Sequence, residues 1–380
     1  MPNVLNVAVL EPYYGGSHAA FVDTLRDHSH HRITLATMPA RKWKWRMRGA
    51  SIWFARQATQ WFDHPDGKSI DVILCNDMLS VADLRALLPV SMQQMPIVCY
   101  FHENQLTYPI PDEQLRDYQY GMTNITSCLS ADGVWFNSGF HRDDFLNAAA
   151  SLLAKMPDCV PSGIVDEIRK KSLVIPPPVS VGGTVRAASP DGAVPTILWC
   201  HRWEYDKNPE PFFEAMIRLA DSGRAFRLVV LGEQFRTAPP VFADSWDRLR
   251  PHIDHAGFIP DRQAYLNVLA GCDLVVSSAI QENFGIAVVE AILLGCQPLL
   301  PNRLSYPELI PPFLHDNCLY PSDNDLYGRL EAWLDGRALM TRQQHSDLIT
   351  HATSAFGVLS AVPRVDAALE TGVSASRGQK

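Results

Sequence analysis

The stretch Gln281-Glu282-Asn283-Phe284-Gly285-Ile286-Ala287-Val288-Val289-Glu290-Ala291 sets two carboxylates eight positions apart around a Phe-Gly pair. It follows the apolar run DLVVSSA and opens a helical pattern. Glu282 therefore falls in the turn before the helix and Glu290 about one turn inside it. Gly285 lets the backbone approach a ligand closely. The amides of Asn283, Phe284, Gly285 and Ile286 have no helical acceptor, so they form a place for a phosphate. Glu290 can accept hydrogen bonds from a ribose diol. A capped amphipathic helix needs only one of these carboxylates, so the pair points to a nucleotide-linked substrate.

His201-Arg202-Trp203-Glu204-Tyr205-Asp206-Lys207-Asn208-Pro209 follows a second apolar run, TILWC. Arg202 and Lys207 flank a turn, and Pro209 suits the first turn of a helix. A guanidinium and an ammonium at a strand end suit a diphosphate, the first bidentate and the second a point charge. A solvated turn with an Arg–Glu pair is the simpler alternative for this segment alone. His102, Glu103 and Asn104 form a dense polar run after PIVCYF, where His102 can hydrogen-bond a sugar or a leaving group. Gly15-Gly16-Ser17-His18 follows the first apolar run. It permits close backbone approach, and Ser17 is placed to start a helix. Neither G-x-G-x-x-G nor G-x-x-x-x-G-K-[ST] occurs, which argues against a nicotinamide fingerprint and a P-loop.

The segment Arg41-Lys42-Trp43-Lys44-Trp45-Arg46-Met47-Arg48 is cationic in a chain of formal net charge -8. Its five basic residues can neutralise a polyanion, and Trp43 or Trp45 can stack on an unpaired base. A bland surface segment with inward-packed tryptophans is the competing interpretation.

The elements that hold these residues alternate. NVAVLEP (6–12), RITLATMP (32–39), DVILCND (71–77), PIVCYFHEN (96–104) and GVWFNS (133–138) read as strands, with helices from Ser17 and over 81–88. Apolar periodicity lapses in the Pro- and Gly-rich stretch VIPPPVSVGGTVRAASPDGAVP (174–195). It resumes with strands at 196–202, 227–233, 253–259, 273–279 and 296–302, and helices at 209–221, 261–271 and 286–295. Runs apolar on both faces belong to covered parallel sheets. The fold class expected is α/β, with two Rossmann-like doubly wound parallel-sheet domains facing across a cleft. The boundaries expected are 1–178, a linker at 179–195, a second domain at 196–338, and a C-terminal helix and tail at 339–380 that could pack back on the first domain. The functional residues should lie beyond the carboxyl ends of the strands.

The 380 residues exceed one ordinary core. The first sixteen residues lack the basic start of a signal peptide, and no run approaches bilayer-spanning length. The eight cysteines are scattered without C-x-x-C spacing, so neither a zinc site nor a disulfide framework is expected. These features lead us to expect a cytoplasmic protein without integral membrane association.

The E-x7-E stretch, with Arg202 and Lys207 upstream, resembles the retaining nucleotide-sugar glycosyltransferases of the two-Rossmann-domain (GT-B) type. LEPYYGGSH, MPARKWKWRMRG, YFHENQLTYP, RDYQYGMTNITSCL and HRWEYDKNPE, with the stretch Glu282–Cys296, resemble more specifically the tRNA-queuosine α-mannosyltransferase family. The resemblance runs from about residue 4 to the 310s. It implies GDP-mannose as the donor. Glu290 would sit on the ribose, Glu282 on the sugar hydroxyls, Arg202 and Lys207 on the diphosphate, and His102 beside the mannose, with Gly15 and Gly16 close to the donor. It implies queuosine-containing tRNA as the partner, its cyclopentenediol the acceptor, met by His18, Glu103, Asn104 and Arg41, Lys42, Trp43, Lys44, Trp45, Arg46 and Arg48. It implies no catalytic metal and no cofactor besides the nucleotide-sugar substrate. A lipid-linked or polysaccharide acceptor, a sugar-nucleotide epimerase and a non-catalytic binding protein are the rival readings. The set Arg202, Lys207, Glu282 and Glu290 speaks against the last.

Overall fold

The structure is a computed structural model and describes residues 4–58, 60, 69–110, 116–186, 193–234, 238–336 and 339–378; residues 187–192 of the expected linker fall outside this set. The chain divides into two compact units, Met1–Val179 with Val358–Lys380, and Ser180–Gly357.

The first unit holds β1 (Asn6–Tyr14), β2 (Arg32–Pro39), β3 (Val72–Asn76), β4 (Ile97–Phe101), β5 (Gly133–Phe136) and β6 (Ser172–Val174). They form one parallel sheet in the order β2-β1-β3-β4-β5-β6. Every residue of β3 and β4 is buried, which is why their runs do not alternate. The longer helices are α1 (Gly16–His28), α2 (Trp43–Arg56), α3 (Val81–Leu87), α4 (Tyr118–Ser130), α5 (Gly139–Leu153) and α6 (Ile164–Lys170). Ser80, Asp117 and Ser138 cap α3, α4 and α5 by accepting from the amides of Asp83, Gln119 and His141. The chain enters at β1, moves outward to β2, then returns to the other side of β1 with β3. The order reverses between β1 and β3, the place where sheets of this kind bind ligands beyond their carboxyl ends.

The second unit repeats the plan. Strands β7 (Thr196–Cys200), β8 (Arg227–Leu231), β9 (Ile253–Gly257), β10 (Leu274–Val276), β11 (Gln297–Pro301) and β12 (Leu319–Tyr320) form a parallel sheet ordered β12-β11-β10-β7-β8-β9. Here the reversal lies between β7 and β10. The longer helices are α7 (Pro209–Asp221), α8 (Arg262–Ala270), α9 (Ile286–Leu293), α10 (Leu326–Leu334) and α11 (Arg342–Phe356). The final helix, α12 (Val358–Gly378), returns to the first unit. Its Val362, Val365, Leu369 and Val373 cover Val7, Val9, Val72, Leu74 and Val98 on one face of that sheet.

Strands end earlier than the apolar runs suggest, at Cys200 rather than 202 and at Phe101 rather than 104. The residues trimmed off are the polar ones, which are thereby freed for the loops. β1 errs the other way and runs on to Tyr14 through an irregularity after Glu11. Strands β6 and β12 and helices α2, α4, α5, α6 and α10 were not expected.

Candidate active site

In the second unit the reversal point gathers the residues after β7 and β10. Asn208, at φ 47, closes the turn after β7, and Pro209 starts α7. Lys207 is carried inward. Its Nζ donates to the Gln281 carbonyl at 2.7 Å and lies 3.1 Å from Asp206 Oδ2 and 3.6 Å from Glu282 Oε2. Burial works against its charge, but Glu282 and Asp206 overcome that and raise its pKa. The ammonium is therefore a fixed positive charge at the strand ends. Arg202 stays half exposed, with Nη2 3.1 Å from Glu204 Oε2.

Glu282 lies in the turn after β10, where its Oε1 accepts from the Phe284 amide at 3.4 Å. The carbonyls of Glu282 and Phe284 both accept from Ser305 Oγ at 3.2 Å, which holds this turn in place. Gly285, at φ 96, is the left-handed entry to α9, a conformation that favours glycine. No side chain caps this helix, so its first amides remain available from Ile286 onward. Phe284 packs edge-on against Phe356 at 5.3 Å, and Asn283 is buried with its Oδ1 accepting from Gln281 Nε2 at 3.3 Å. Glu290 is only 3% exposed. Its Oε1 accepts from Arg262 Nη2 at 2.5 Å and its Oε2 from the Tyr265 hydroxyl at 2.9 Å.

In the first unit the reversal point carries a buried polar cluster. Glu11 ends the apolar part of β1, and Asn76 ends β3 beside it. Asn76 Nδ2 donates to Glu11 Oε1 at 2.6 Å and lies 2.9 Å from His18 Nδ1, while its Oδ1 accepts from the Met78 amide. His18 Nδ1 lies 3.4 Å from Glu11 Oε1, and the His18 ring stacks on His102 with centroids 4.0 Å apart. The two imidazoles are pushed in opposite directions. Burial opposes the charged form of His18, yet Glu11, with Asp77 and Glu103 beyond it, raises its pKa. Burial, reinforced by His18 and His141, lowers that of His102 well below its usual value. His102 is thus held as a neutral ring, with one donor and one acceptor nitrogen. The loop that carries it is pinned twice: its amide donates to Asp77 Oδ1 at 2.9 Å and its carbonyl accepts from Asn137 Nδ2 at 2.9 Å. Glu103 is half-buried beside this cluster.

Glu11, His18 and His102 each bring a ligand atom within 4.8 Å of one another, a set that could hold a metal ion. Glu11 Oε1, however, already accepts from Asn76 and from the Tyr13 amide at 2.7 Å.

Several expected roles are corrected by placement. Ser17 does not cap α1: the cap position is Gly15, without a side-chain hydrogen bond, and the helix begins at Gly16. A Cβ on Gly15 would meet Ala40 Cβ at 2.5 Å, and Gly16 holds φ 53, so each glycine is needed for a different reason. Asn104 is fully buried and shapes its own turn, its Oδ1 accepting from the amides of Leu106 and Thr107. Arg46 is also buried, and its Nη2 donates to the Pro39 carbonyl at 3.1 Å. Both side chains are committed to contacts within the first unit.

The remaining cationic residues stand on or beside α2. Arg41, Lys42, Lys44 and Arg48 are exposed, and Trp45 is 60% exposed. Trp43 leans on Tyr120 of α4 at 5.1 Å, and the Arg48 guanidinium lies over the same ring at 5.3 Å. No Asp or Glu occurs from His28 to Phe62. The cationic field there is uncompensated locally, a signal that a count restricted to eight residues understates. Glu11, Asn76, Asp77, Arg262 and Tyr265 were not expected at all.

Two parallel doubly wound units, each with its polar residues at the reversal point, define a GT-B glycosyltransferase fold. Residues 6–179 match the profile described as tRNA-queuosine alpha-mannosyltransferase N-terminal, and residues 186–347 the profile described as glycosyl transferases group 1. A tRNA-queuosine alpha-mannosyltransferase of Drosophila melanogaster is 35% identical over 336 residues, 86% of each chain. The chain belongs to the tRNA-queuosine alpha-mannosyltransferase family. A GDP-mannose-dependent alpha-(1-6)-phosphatidylinositol dimannoside mannosyltransferase of Mycobacterium tuberculosis is 30% identical over 126 residues, 31% of each chain. Among solved structures, Anabaena HepE in complex with UDP superposes with TM-score 0.67 at 13% identity, over 97% of this chain and 100% of that one. Sucrose-phosphate synthase of Thermosynechococcus elongatus gives 0.68 at 13%, over 98% and 100%. At that identity the likeness concerns the fold. No helix among the described residues is long and apolar enough to cross a membrane.

Proposed function

We propose that this protein transfers mannose, with retention, from GDP-mannose to the cyclopentenediol of queuosine in a tRNA anticodon, in the cytoplasm. The observation that carries the reading is the Lys207–Glu282 arrangement at the β7/β10 reversal point, in a chain whose other unit is of the queuosine-specific type. Lys207, Arg202 and the free amides at the start of α9 face the diphosphate. They are in place before the reaction, so they stabilise the departing charge without reorganising. Glu282 holds the sugar hydroxyls and Glu290 the ribose. His102, kept neutral by burial, hydrogen-bonds the transferred sugar.

The C1–O bond to phosphate breaks, and its electron pair leaves with GDP. The acceptor oxygen bonds to C1 on the same face, and its proton passes to the departing phosphate oxygen. Countercharge comes from side chains and backbone, and this reading assigns no resident metal. The exposed cations and Trp45 on α2 support contact with tRNA, since they join phosphate neutralisation to base stacking.

Radiolabelled GDP-mannose, incubated with the protein and total tRNA from cells with and without queuosine, tests the proposal. Label is expected only in queuosine-containing tRNA. Label in neither, with GDP-mannose still bound, would overturn the acceptor and direct the search to lipids and glycans.

A further inference from the structure

Glu290 is a nearly fully buried carboxylate, and a carboxylate offers about four acceptor positions. Two are filled from within the protein, one by the Arg262 guanidinium and one by the Tyr265 hydroxyl. Both donors come from α8, one turn apart, and reach across to α9. Arg262 also donates to the Ser180 carbonyl at 2.9 Å, and its guanidinium lies 5.4 Å from the Tyr265 ring centroid. The two side chains therefore brace one another as well as the carboxylate. A carboxylate held on each oxygen by a different donor cannot rotate about its last torsion without losing a charge-assisted bond.

We propose that Arg262 and Tyr265 are positioning residues that aim the two remaining lone pairs of Glu290 at the vicinal hydroxyls of the donor's ribose. The inference rests on the assignment of Glu290 to the ribose. It adds a specificity consequence: the site distinguishes a ribonucleoside diphosphate from its deoxy counterpart through two residues that never touch the nucleotide.

The probes are GDP and 2′,3′-dideoxy-GDP, with binding measured by calorimetry on the full-length protein. The wild type is expected to favour GDP by roughly tenfold or more, the worth of hydrogen bonds to a charged group. Glu290→Gln should remove most of that preference. Tyr265→Phe and Arg262→Met should each shrink it several-fold while changing dideoxy-GDP affinity less than about twofold, and Arg262→Lys should restore part of it. A merely structural role would weaken both nucleotides equally, and that result overturns the inference. If Glu290→Gln lowers the preference but neither Tyr265→Phe nor Arg262→Met does, the inference falls and the ribose assignment stands. If Glu290→Gln leaves the preference intact, both fall. Arg262 is about half exposed, so its substitution tests the idea even should Tyr265→Phe fail to fold.

Discussion

Asp77 sits at the end of β3 with no exposed surface, its Oδ1 accepting the His102 amide. Burial, with Glu103 adding repulsion, pushes its carboxyl up to about 7. In the unfolded chain it titrates near the ordinary value of about 3.9. Between those values the native state binds more protons than the unfolded one, so stability falls as pH rises from about 4 toward 7. The raised pKa of His18 works in the same direction at higher pH. Its contribution is complete below the unfolded histidine value and fades as pH rises through the folded one. Asp77→Asn keeps an acceptor for the His102 amide and removes the buried charge. Urea melts across pH 4 to 8 should show a flatter profile and a gain over wild type at the alkaline end. An unchanged slope would show that Asp77 titrates normally. At this scale the sequence was half legible. Glu282 and Glu290 stood out because carboxylates flank a Phe-Gly turn. Glu11, Asn76 and Asp77 are embedded in apolar runs, and only strand pairing brings Glu11 next to Asn76. Arg262 and Tyr265 escaped notice because nothing in a nine-residue helix says which neighbouring helix its polar side chains will reach.

Helix α2 shows how an element can hide behind its composition. Its charge and tryptophans dominate the text, but Met47, Ala50, Ser51, Phe54 and Ala55 are all buried and recur at helical spacing. That stripe packs inward and leaves the cationic face outside, so one helix both fills the core and presents the patch. The two arginines two positions apart on it should behave differently. Arg48→Ala, like Arg41→Ala and Lys44→Ala, should weaken tRNA binding with little change in thermal stability. Each lost phosphate contact lowers the salt slope of binding by about 0.7 to 0.9. Arg46→Ala should instead lower stability, by about 1 to 3 kcal/mol, since it removes a buried side chain together with its charged hydrogen bond to the Pro39 carbonyl. Filter binding over a salt series, alongside thermal melts, separates the two. Loss of stability in all four variants would contradict the assignment of an outward binding face. The strands were more readable than this helix, since runs apolar on both faces have few alternatives. Their last residues were not, because polar side chains continue the run in the text after the ladder has stopped.

The whole molecule consists of two units with separate cores, and α12 belongs to the first although it follows the second in sequence. Val365, on the face of α12 that meets the sheet, is fully buried. Val365→Asp places an unpaired carboxylate against that sheet, a change that costs several kcal/mol. Hydrogen exchange should then show lost protection in β1, β3 and β4 while β7, β8 and β10 keep theirs, and GDP should still bind. Equal loss in both units would show that they unfold as one. The division into two α/β units was legible from the lapse in periodicity around 174–195. The sequence allowed the last helix to pack back on the first domain, but an amphipathic pattern alone does not decide which sheet a helix covers.

The placement of α12 sets an order of events on the ribosome. The first sheet emerges early but lacks the helix that shields one of its faces until the chain beyond Gly357 has been made. At typical elongation rates of about 5 to 20 residues per second, synthesis of the intervening unit occupies roughly ten to thirty seconds. For that interval Val7, Val9, Val72, Leu74 and Val98 lack the part of their cover that α12 supplies, with only Phe21, Val22 and Leu25 of α1 available on that face. The second unit, contiguous in sequence, can close as soon as it clears the exit tunnel. The unit translated first is thus the one completed last, and a chaperone that grips apolar strands would find its substrate there.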